Sequence, residues 1–153
     1  MIVLPPDAAL QLDPRDLVEA LDQAHRALAR GTAVQPAPTS LHVGLLGVDD
    51  AAVVPMTALD SSRGLVAVKM LADVPGHRGQ GLPAQRSTIV LLDAPTAECV
   101  AVVDGRHLTR VRTAAVTVLA TRTLARPGST TLGVVGAGAL AVEHVRAHAA
   151  VLG

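Results

Sequence analysis

The chain has 153 residues, of which 50% are hydrophobic, and equal numbers of acidic and basic side chains give it a formal net charge of zero. The length fits one domain, and the lack of net positive charge argues against a nucleic-acid or anionic-membrane partner. Phe, Tyr and Trp are absent, so the core must be aliphatic. No apolar run approaches the length of a membrane span. Cys99 is the only cysteine and reads as a plain thiol, which with the lack of a signal-peptide pattern predicts a cytoplasmic protein.

The first 126 residues predict helices and antiparallel strands, an α+β arrangement. Asp13 as N-cap, Pro14 at the first helical position and Gly31 as the stop delimit an amphipathic helix, whose apolar stripe comprises Leu17, Leu21, Ala24 and Leu28. A second helix is predicted from about residue 107 to residue 125. Strands are predicted at 41–47, 51–57, 65–73, 87–92 and 99–103, the first two and the last two forming hairpins, with an irregular loop at 75–83.

A glycine motif lies near the end of the chain, at Gly136-Ala137-Gly138. Residues 130–135 before it read as a buried parallel strand, and a helix follows with residues 141, 145, 149 and 152 on its apolar face. Gly136 would permit a tight turn, and Gly138 would let backbone N–H groups approach a pyrophosphate. We therefore interpret the segment as the first β-α unit of a Rossmann domain, the alternative being an ordinary glycine-rich turn.

The predicted nucleotide-binding unit is incomplete within residues 127–153. An acidic residue that holds the ribose is expected about 20 residues after the glycines, and a parallel strand needs neighbours in its sheet. Both would come after Gly153. The sequence thus predicts the front part of a longer enzyme, inactive as this fragment alone.

Lys69 and Arg112 are the candidate site residues that the pattern of charges singles out. Lys69 is the only lysine in the chain and stands within an apolar strand, where an ammonium can bind a carboxylate; the alternative is a strand lysine reaching water. Arg112 precedes Thr113-Ala114-Ala115, small residues that would leave room for a ligand to approach the guanidinium. A solvated helix arginine is an equally good interpretation of local sequence.

His144 and His148 are spaced four residues apart in the last predicted helix. This spacing suits a metal site, but no third ligand accompanies the pair. We therefore interpret the two histidines as a polar helix face and predict no metal.

A series of short motifs runs from Lys69 to the glycine motif. They are Val68-Lys69-Met70, Pro75-Gly76-His77, Gly81-Leu82-Pro83, Leu92-Asp93, Ala101-Val102-Val103-Asp104-Gly105, Leu108-Thr109-Arg110-Val111-Arg112-Thr113-Ala114-Ala115, Leu124-Ala125-Arg126-Pro127 and Gly133-Val134-Val135-Gly136-Ala137-Gly138. Together they resemble the ornithine cyclodeaminase/mu-crystallin family.

The resemblance implies a substrate-binding and dimerisation domain over residues 1–126 and the start of an NAD(P)-binding Rossmann domain over residues 127–153. It also implies a homodimer that uses NAD, with NADP left open. Lys69 and Arg112 would contact the substrate carboxylate, Lys69 as the catalytic residue. Arg112, Gly136, Gly138 and Ala139 would contact the cofactor.

The function that we expect is ornithine cyclodeaminase-type chemistry at the Cα–N bond of an amino acid, converting L-ornithine to L-proline and ammonia. A ketimine reductase or an amino-acid or opine-type dehydrogenase on the same frame is the alternative enzyme, acting on an amino acid or cyclic imine. A non-catalytic binding or dimerisation module, like some mu-crystallins, is the alternative outside enzymes.

Overall fold

The computed structural model of the chain describes residues 1–42, 44 and 50–153. These residues form a mixed α/β structure that divides into two compact units. The first unit comprises Met1–Pro6 with Ala27–Arg106 and contains the sheet. The second comprises Asp7–Arg26 with His107–Gly153 and is helical. The domain boundary predicted at residue 126 stays a prediction.

The described part of the first unit contains one seven-stranded sheet, in the order β1-β7-β6-β5-β4-β2, with β3 also paired to β4. The β1–β7 pairing is parallel and the other pairings are antiparallel. The strands are β1 (Ile2–Leu4), β2 (Ala33–Val34), β3 (Leu41–His42), β4 (Ala52–Asp60), β5 (Leu65–Asp73), β6 (Gln85–Asp93) and β7 (Cys99–Asp104).

The strands predicted at 51–57, 65–73, 87–92 and 99–103 match β4, β5, β6 and β7, whereas Gly44, within the strand predicted at 41–47, is not in a strand. The strand predicted at residues 65–73 is β5, and β6 with β7 confirms the second hairpin. Of the first hairpin, Leu41 and His42 pair antiparallel with β4, while residues 43 and 45–49 lie outside the described residues. The irregular loop predicted at 75–83 is wrong in part, because Pro75–Gln80 forms a 3-10 helix that ends at Gly81, with a φ of 71°.

Helix α1 (Pro14–Ala29) begins and ends where its capping residues predict. A carboxylate oxygen of Asp13 accepts a 2.8 Å hydrogen bond from the backbone N–H of Arg15. Gly31 has a φ of 72°, and the N–H of Thr32 donates to the carbonyl of Ala27 at 3.0 Å, which closes the helix in a Schellman arrangement. The predicted stripe is displaced, since Val18 is fully buried whereas Leu28 is 39% exposed.

The core of the second unit consists of small aliphatic side chains, as the absence of aromatic residues predicts. Helix α2 (Gly105–Leu124) confirms the second predicted helix, and α3 (Ala139–Leu152) confirms the third. Buried residues from α1, α2 and α3 form one cluster: Val18, Ala114, Ala115, Val118 and Ala147. The half-buried Leu17, Leu21, Leu119 and Val151 pack against it.

Two expectations for the end of the chain are wrong. Residues 130–135 form no strand and are exposed, since the described part of the chain supplies no neighbouring strand to satisfy their backbone hydrogen bonds. The face of α3 that was expected to be buried is largely open, with Val145 48% and Leu152 44% exposed. The buried residues of α3 are Ala147 and His148, because they face the helical core instead of a sheet.

Candidate functional site

Lys69 lies in the middle of β5, paired with Met56 on β4 and Ile89 on β6. Ile89 pairs in turn with Val103 on β7. Residues directly opposite each other point to the same side of a sheet, so these side chains share one face. Val103 is buried on that face, and the half-buried Lys69 is therefore placed on the covered side of the sheet.

Gly105, the first residue of α2, packs on the same face against Ser87 and Ile89 of β6. Gly105 is buried, and a Cβ built on it would collide with the Ser87 hydroxyl and lie 3.3 Å from the Cδ1 of Ile89. The absence of a side chain at Gly105 therefore lets the helix backbone approach the strand. The Asp104 carboxylate accepts a 2.8 Å hydrogen bond from the N–H of Arg106 and satisfies one amide of the first turn.

Asp73 and Arg106, both in the first unit, carry buried polar atoms that sequence reasoning missed. Among the described residues, the Oδ1 of Asp73 and the Nε of Arg106 have no hydrogen-bond partner. Asp73 lies four residues after Lys69 on β5, an even spacing, so both side chains point to the covered face. Nothing in the local sequence distinguishes them from ordinary surface charges. Buried polar atoms are normally satisfied, so a water or a ligand is the expected partner of each of these two atoms.

Arg112 lies in the second unit and is exposed on α2. None of the ion pairs in the described part of the chain includes it. The small residues after it were expected to leave room for a ligand, and this is wrong: Ala114 and Ala115 are buried in the helical core. They are small because helices pack closely there, and the exposed guanidinium of Arg112 remains accessible by itself.

The glycine motif lies in the same unit as Arg112 and is exposed. Gly136 has a φ of 105°, a conformation that residues with a Cβ rarely adopt. Gly138 is the N-cap of α3 and provides no side-chain hydrogen bond, so the first amides of α3, beginning at Ala139, lack an intrahelical partner. No other atom lies within 4 Å of a Cβ position at Gly136 or Gly138, so the backbone is open to an approaching anion.

Lys69 belongs to the first unit, whereas Arg112, Gly136, Gly138 and Ala139 belong to the second. The roles that the resemblance implies for these five residues stay predictions.

His148 is not part of an exposed polar helix face, so that interpretation is wrong for this residue. It is 8% exposed, its Nδ1 lies 2.7 Å from the carbonyl oxygen of His144, and its Nε2 lies 3.1 Å from the Oγ1 of Thr121 on α2. No group of three or more potential metal ligands occurs among the described residues. The spacing of two histidines could not predict that a threonine on another helix would be the partner.

The second unit also contains a cavity of about 310 Å³, which none of the predicted site residues lines. Its wall is mainly aliphatic, and Glu143 and Arg146 at its edge form a 3.1 Å ion pair with each other. None of the described helices is long and apolar enough to cross a membrane.

Comparison with known proteins relates the chain to one enzyme family. The model of the ornithine cyclodeaminase/mu-crystallin family matches residues 7–153. Delta(1)-pyrroline-2-carboxylate reductase of Paracoccus denitrificans is 34% identical over 146 residues, which are 95% of this chain and 43% of that protein. L-lysine cyclodeaminase of Streptomyces rapamycinicus is 48% identical over 71 residues, 46% of this chain and 21% of that protein. The chain spans less than half the length of these relatives.

Solved structures agree with this relationship. The structure of Thermococcus litoralis Delta(1)-pyrroline-2-carboxylate reductase in complex with NADH and L-proline matches with a TM-score of 0.89 and 27% sequence identity, over 97% of this chain and 46% of that chain. Similar structures of the family are NAD(H)-bound complexes.

Proposed function

The chain belongs to the ornithine cyclodeaminase/mu-crystallin family, and we propose that it is part of an NAD(H)-dependent enzyme acting at the Cα–N bond of an amino acid or cyclic imine. The observation that carries this proposal is the open glycine motif directly before α3. It joins a positive φ at Gly136 to a helix N-terminus with unsatisfied amides. The remainder of the Rossmann domain would supply the ribose contact.

Gly136, Gly138 and Ala139 are the residues that would hold the cofactor pyrophosphate. Backbone N–H groups at the start of a helix attract an anion through their hydrogens and through the helix dipole. The open space at both glycines fits such a ligand, because nothing from this chain obstructs the backbone. NAD is the proposed cofactor, in line with the complexes of related proteins.

Lys69 and Arg112 would hold the substrate carboxylate. A half-buried ammonium on the covered sheet face provides a point charge, and an exposed guanidinium provides a planar pair of donors. A carboxylate held by such charged groups keeps its Cα in a fixed orientation, which raises the rate of reaction. NAD, when bound, would supply the hydride-transfer chemistry at the Cα–N bond.

Within this class we propose L-ornithine cyclodeamination to L-proline and ammonia as the reaction. The name of the lysine cyclodeaminase that is 48% identical over 71 residues supports cyclodeamination. Reduction of a cyclic imine is the second candidate, because the reductase of Paracoccus denitrificans matches 95% of the chain. A substrate-binding and dimerisation domain over residues 1–126, followed by the start of a Rossmann domain, is the proposed organisation, with a homodimer as the assembly.

The substrates distinguish these candidates in the protein expressed from its complete gene. Cyclodeamination predicts release of ammonia from L-ornithine with catalytic amounts of NAD⁺ and no net NADH. Cyclic-imine reduction predicts stoichiometric oxidation of NADH by Δ1-pyrroline-2-carboxylate. Binding of either compound with turnover of neither would favour the non-catalytic module and contradict the enzyme proposal.

Lys69→Ala tests the carboxylate contact. We expect kcat/KM for the amino acid to fall by a factor that corresponds to about 2–4 kcal/mol, because a charge-assisted contact in a closed site is lost. The dissociation constant of NADH should change little, since the glycine motif lies on another element. Lys69→Arg should restore activity poorly, because a planar fork cannot occupy the same point as an ammonium.

Arg112→Ala should weaken the binding of both the amino acid and NADH. Arg122→Ala is its matched control. Arg122 is an exposed arginine on the same helix, ten residues further along. Unchanged kcat/KM in Lys69→Ala, or equal effects of Arg112→Ala and Arg122→Ala, would end these assignments.

A further inference from the structure

The buried contact between His148 on α3 and Thr121 on α2 has no part in the roles proposed so far. His148 is 8% exposed, and its Nε2 lies 3.1 Å from the Thr121 hydroxyl. The buried residues of the neighbouring core are Ala and Val, with half-buried leucines packed against them. Val118 lies three residues before Thr121 on α2, and Ala147 directly precedes His148 on α3. A buried histidine paired with a half-buried threonine beside an aliphatic core therefore needs a reason.

We propose that the Thr121–His148 hydrogen bond sets the register of α3 on α2 and thereby holds the glycine motif in position relative to the helix that carries Arg112. The inference rests on the proposed function, since it assigns His148 as a positioning residue for cofactor binding. Thr121, the hydrogen-bond partner of His148, has the same positioning role.

Small aliphatic side chains alone specify register weakly. Ala and Val present shallow surfaces, and the chain has no aromatic side chain to act as a large knob. A slide of α3 by one residue would move its axis by about 1.5 Å at little cost in apolar contact. A buried imidazole that loses its partner makes such a slide unfavourable, as single buried polar residues do in coiled coils.

The geometry determines where the imidazole proton lies. The carbonyl oxygen of His144, 2.7 Å from Nδ1, can only accept, so Nδ1 carries a hydrogen. In the neutral ring, Nε2 then accepts from the Thr121 hydroxyl. In the charged ring Nε2 donates to Thr121, whose own proton returns to the Thr117 carbonyl 2.9 Å away. The link between the helices is kept in both protonation states.

The glycine motif responds directly to the register because α3 begins at Ala139, immediately after Gly138. A rigid helix transmits any slide to its first amides. Hydrogen bonds to an anion weaken steeply when the donor is misplaced by such a distance. Losing the Thr121–His148 bond should therefore weaken dinucleotide binding without touching the binding residues.

The chain offers matched variants for the test. Thr121→Val removes the hydroxyl at nearly constant volume, and Thr121→Ser keeps it. Thr117→Val is the control, because Thr117 is half-buried on the same helix but bonds only back to the Thr113 carbonyl, at 3.1 Å. His148→Gln can still reach Thr121, whereas His148→Asn can reach only the His144 carbonyl.

The readout is the backbone amide NMR spectrum of the protein expressed from its complete gene, with and without NADH. Thr121→Val and His148→Asn should shift the amides of Gly136, Gly138 and Ala139 and raise the NADH dissociation constant about tenfold, which corresponds to 1.4 kcal/mol. Thr117→Val, Thr121→Ser and His148→Gln should stay within about twofold of the wild type. A nuclear Overhauser contact between the His148 ring and the Thr121 methyl group should be present in the wild type.

Equal behaviour of Thr121→Val and Thr117→Val would overturn the proposal, as would absence of that contact or a ring whose Nδ1 lacks the proton. If Thr121→Val unfolds the helices, the test is a comparison of His148→Asn with His148→Gln. The quantity compared is the shift of the Gly136, Gly138 and Ala139 amides. If NADH moves no glycine amide in the wild type, the proposed function fails. The amide shifts without NADH then still decide whether the bond sets the register.

Discussion

Gly105 shows how one residue type determines how closely the backbone at the start of α2 approaches β6. A Cβ at this position would collide with the Ser87 hydroxyl. Ser87 is itself buried, with 7% of its surface exposed, so it has little room to move away. Overpacking of this kind costs about 1–3 kcal/mol, more than the ~1 kcal/mol that Ala gains over Gly in helix propensity. We expect Gly105→Ala to lower the free energy of unfolding, measured by urea denaturation.

Gly133→Ala is the control for this variant, since Gly133 is exposed and no atom lies within 4 Å of its Cβ position. Adding Ser87→Gly should recover part of the loss, because the two residues are in contact. Equal stability of Gly105→Ala and Gly133→Ala would contradict the close packing.

Asp60 gives the hairpin between β4 and β5 a dependence on pH. The Ser62 hydroxyl donates a 2.5 Å hydrogen bond to its carboxylate, and Arg63 lies 3.1 Å from the other oxygen. The pKa of Asp60 is lowered, most strongly by the hydrogen bond from the Ser62 hydroxyl. Partial burial opposes this effect and is the second-largest influence. The amides of Ser62 and Arg63 and the charge of Arg63 lower the pKa further.

A lowered carboxyl pKa stabilises the folded state above the unfolded value of about 3.9, and the contribution is lost as the pH falls through the folded pKa. The stability difference between wild type and Asp60→Asn should therefore be largest at neutral pH and shrink below pH ~4. Glu98→Gln, in the turn between β6 and β7, removes the same charge as a control. A difference that does not vary with pH, measured by thermal unfolding, would be evidence against this account.

At the scale of elements, residues 130–135 show that an apolar run needs a neighbour to become a strand. Val135 and Leu132 are exposed, and no described strand pairs with the segment. We expect its amides to exchange with solvent within about tenfold of the rate of an unfolded peptide. The amides of β5, paired on both sides, should be strongly protected. Comparable protection of the two segments in hydrogen exchange would contradict the absence of a strand.

At the scale of the whole molecule, exposed apolar surface favours self-association. β1 is an edge strand whose Ile2 is 62% exposed, and Leu59 and Met70 share the more open face of the sheet, 39% and 46% exposed. Exposed edges and apolar patches are sites where chains pair. We expect a dimer at about tens of micromolar in sedimentation, a concentration at which mass action favours assembly.

Met70→Glu should shift this equilibrium toward the monomer by placing a charge on the open face. Thr96→Glu, in the exposed turn between β6 and β7, adds the same charge away from that face. A wild type that sediments as a monomer would refute the expected assembly. Equal shifts by both variants would refute the assigned face.

Local signals were sufficient for elements that are stabilised within their own residues. Asp13 and Gly31 determined the ends of α1, and apolar runs bounded by turn residues determined β5, β6 and β7. The glycine motif was also readable, because a positive φ at Gly136 is a property of the residue itself. Membership of the family followed from short motifs in fixed order.

The sequence by itself determined the helix ends, most strands, the aliphatic core and the family. Only the tertiary structure decided that Ala114 and Ala115 pack into the core, that His148 bonds to Thr121, and that residues 130–135 remain unpaired. The physical reason is that burial and hydrogen bonding between distant residues depend on which surfaces meet, whereas caps and turns depend on backbone conformations that each residue allows. A pattern along one helix specifies which face is apolar, and the neighbouring elements decide whether that face is covered.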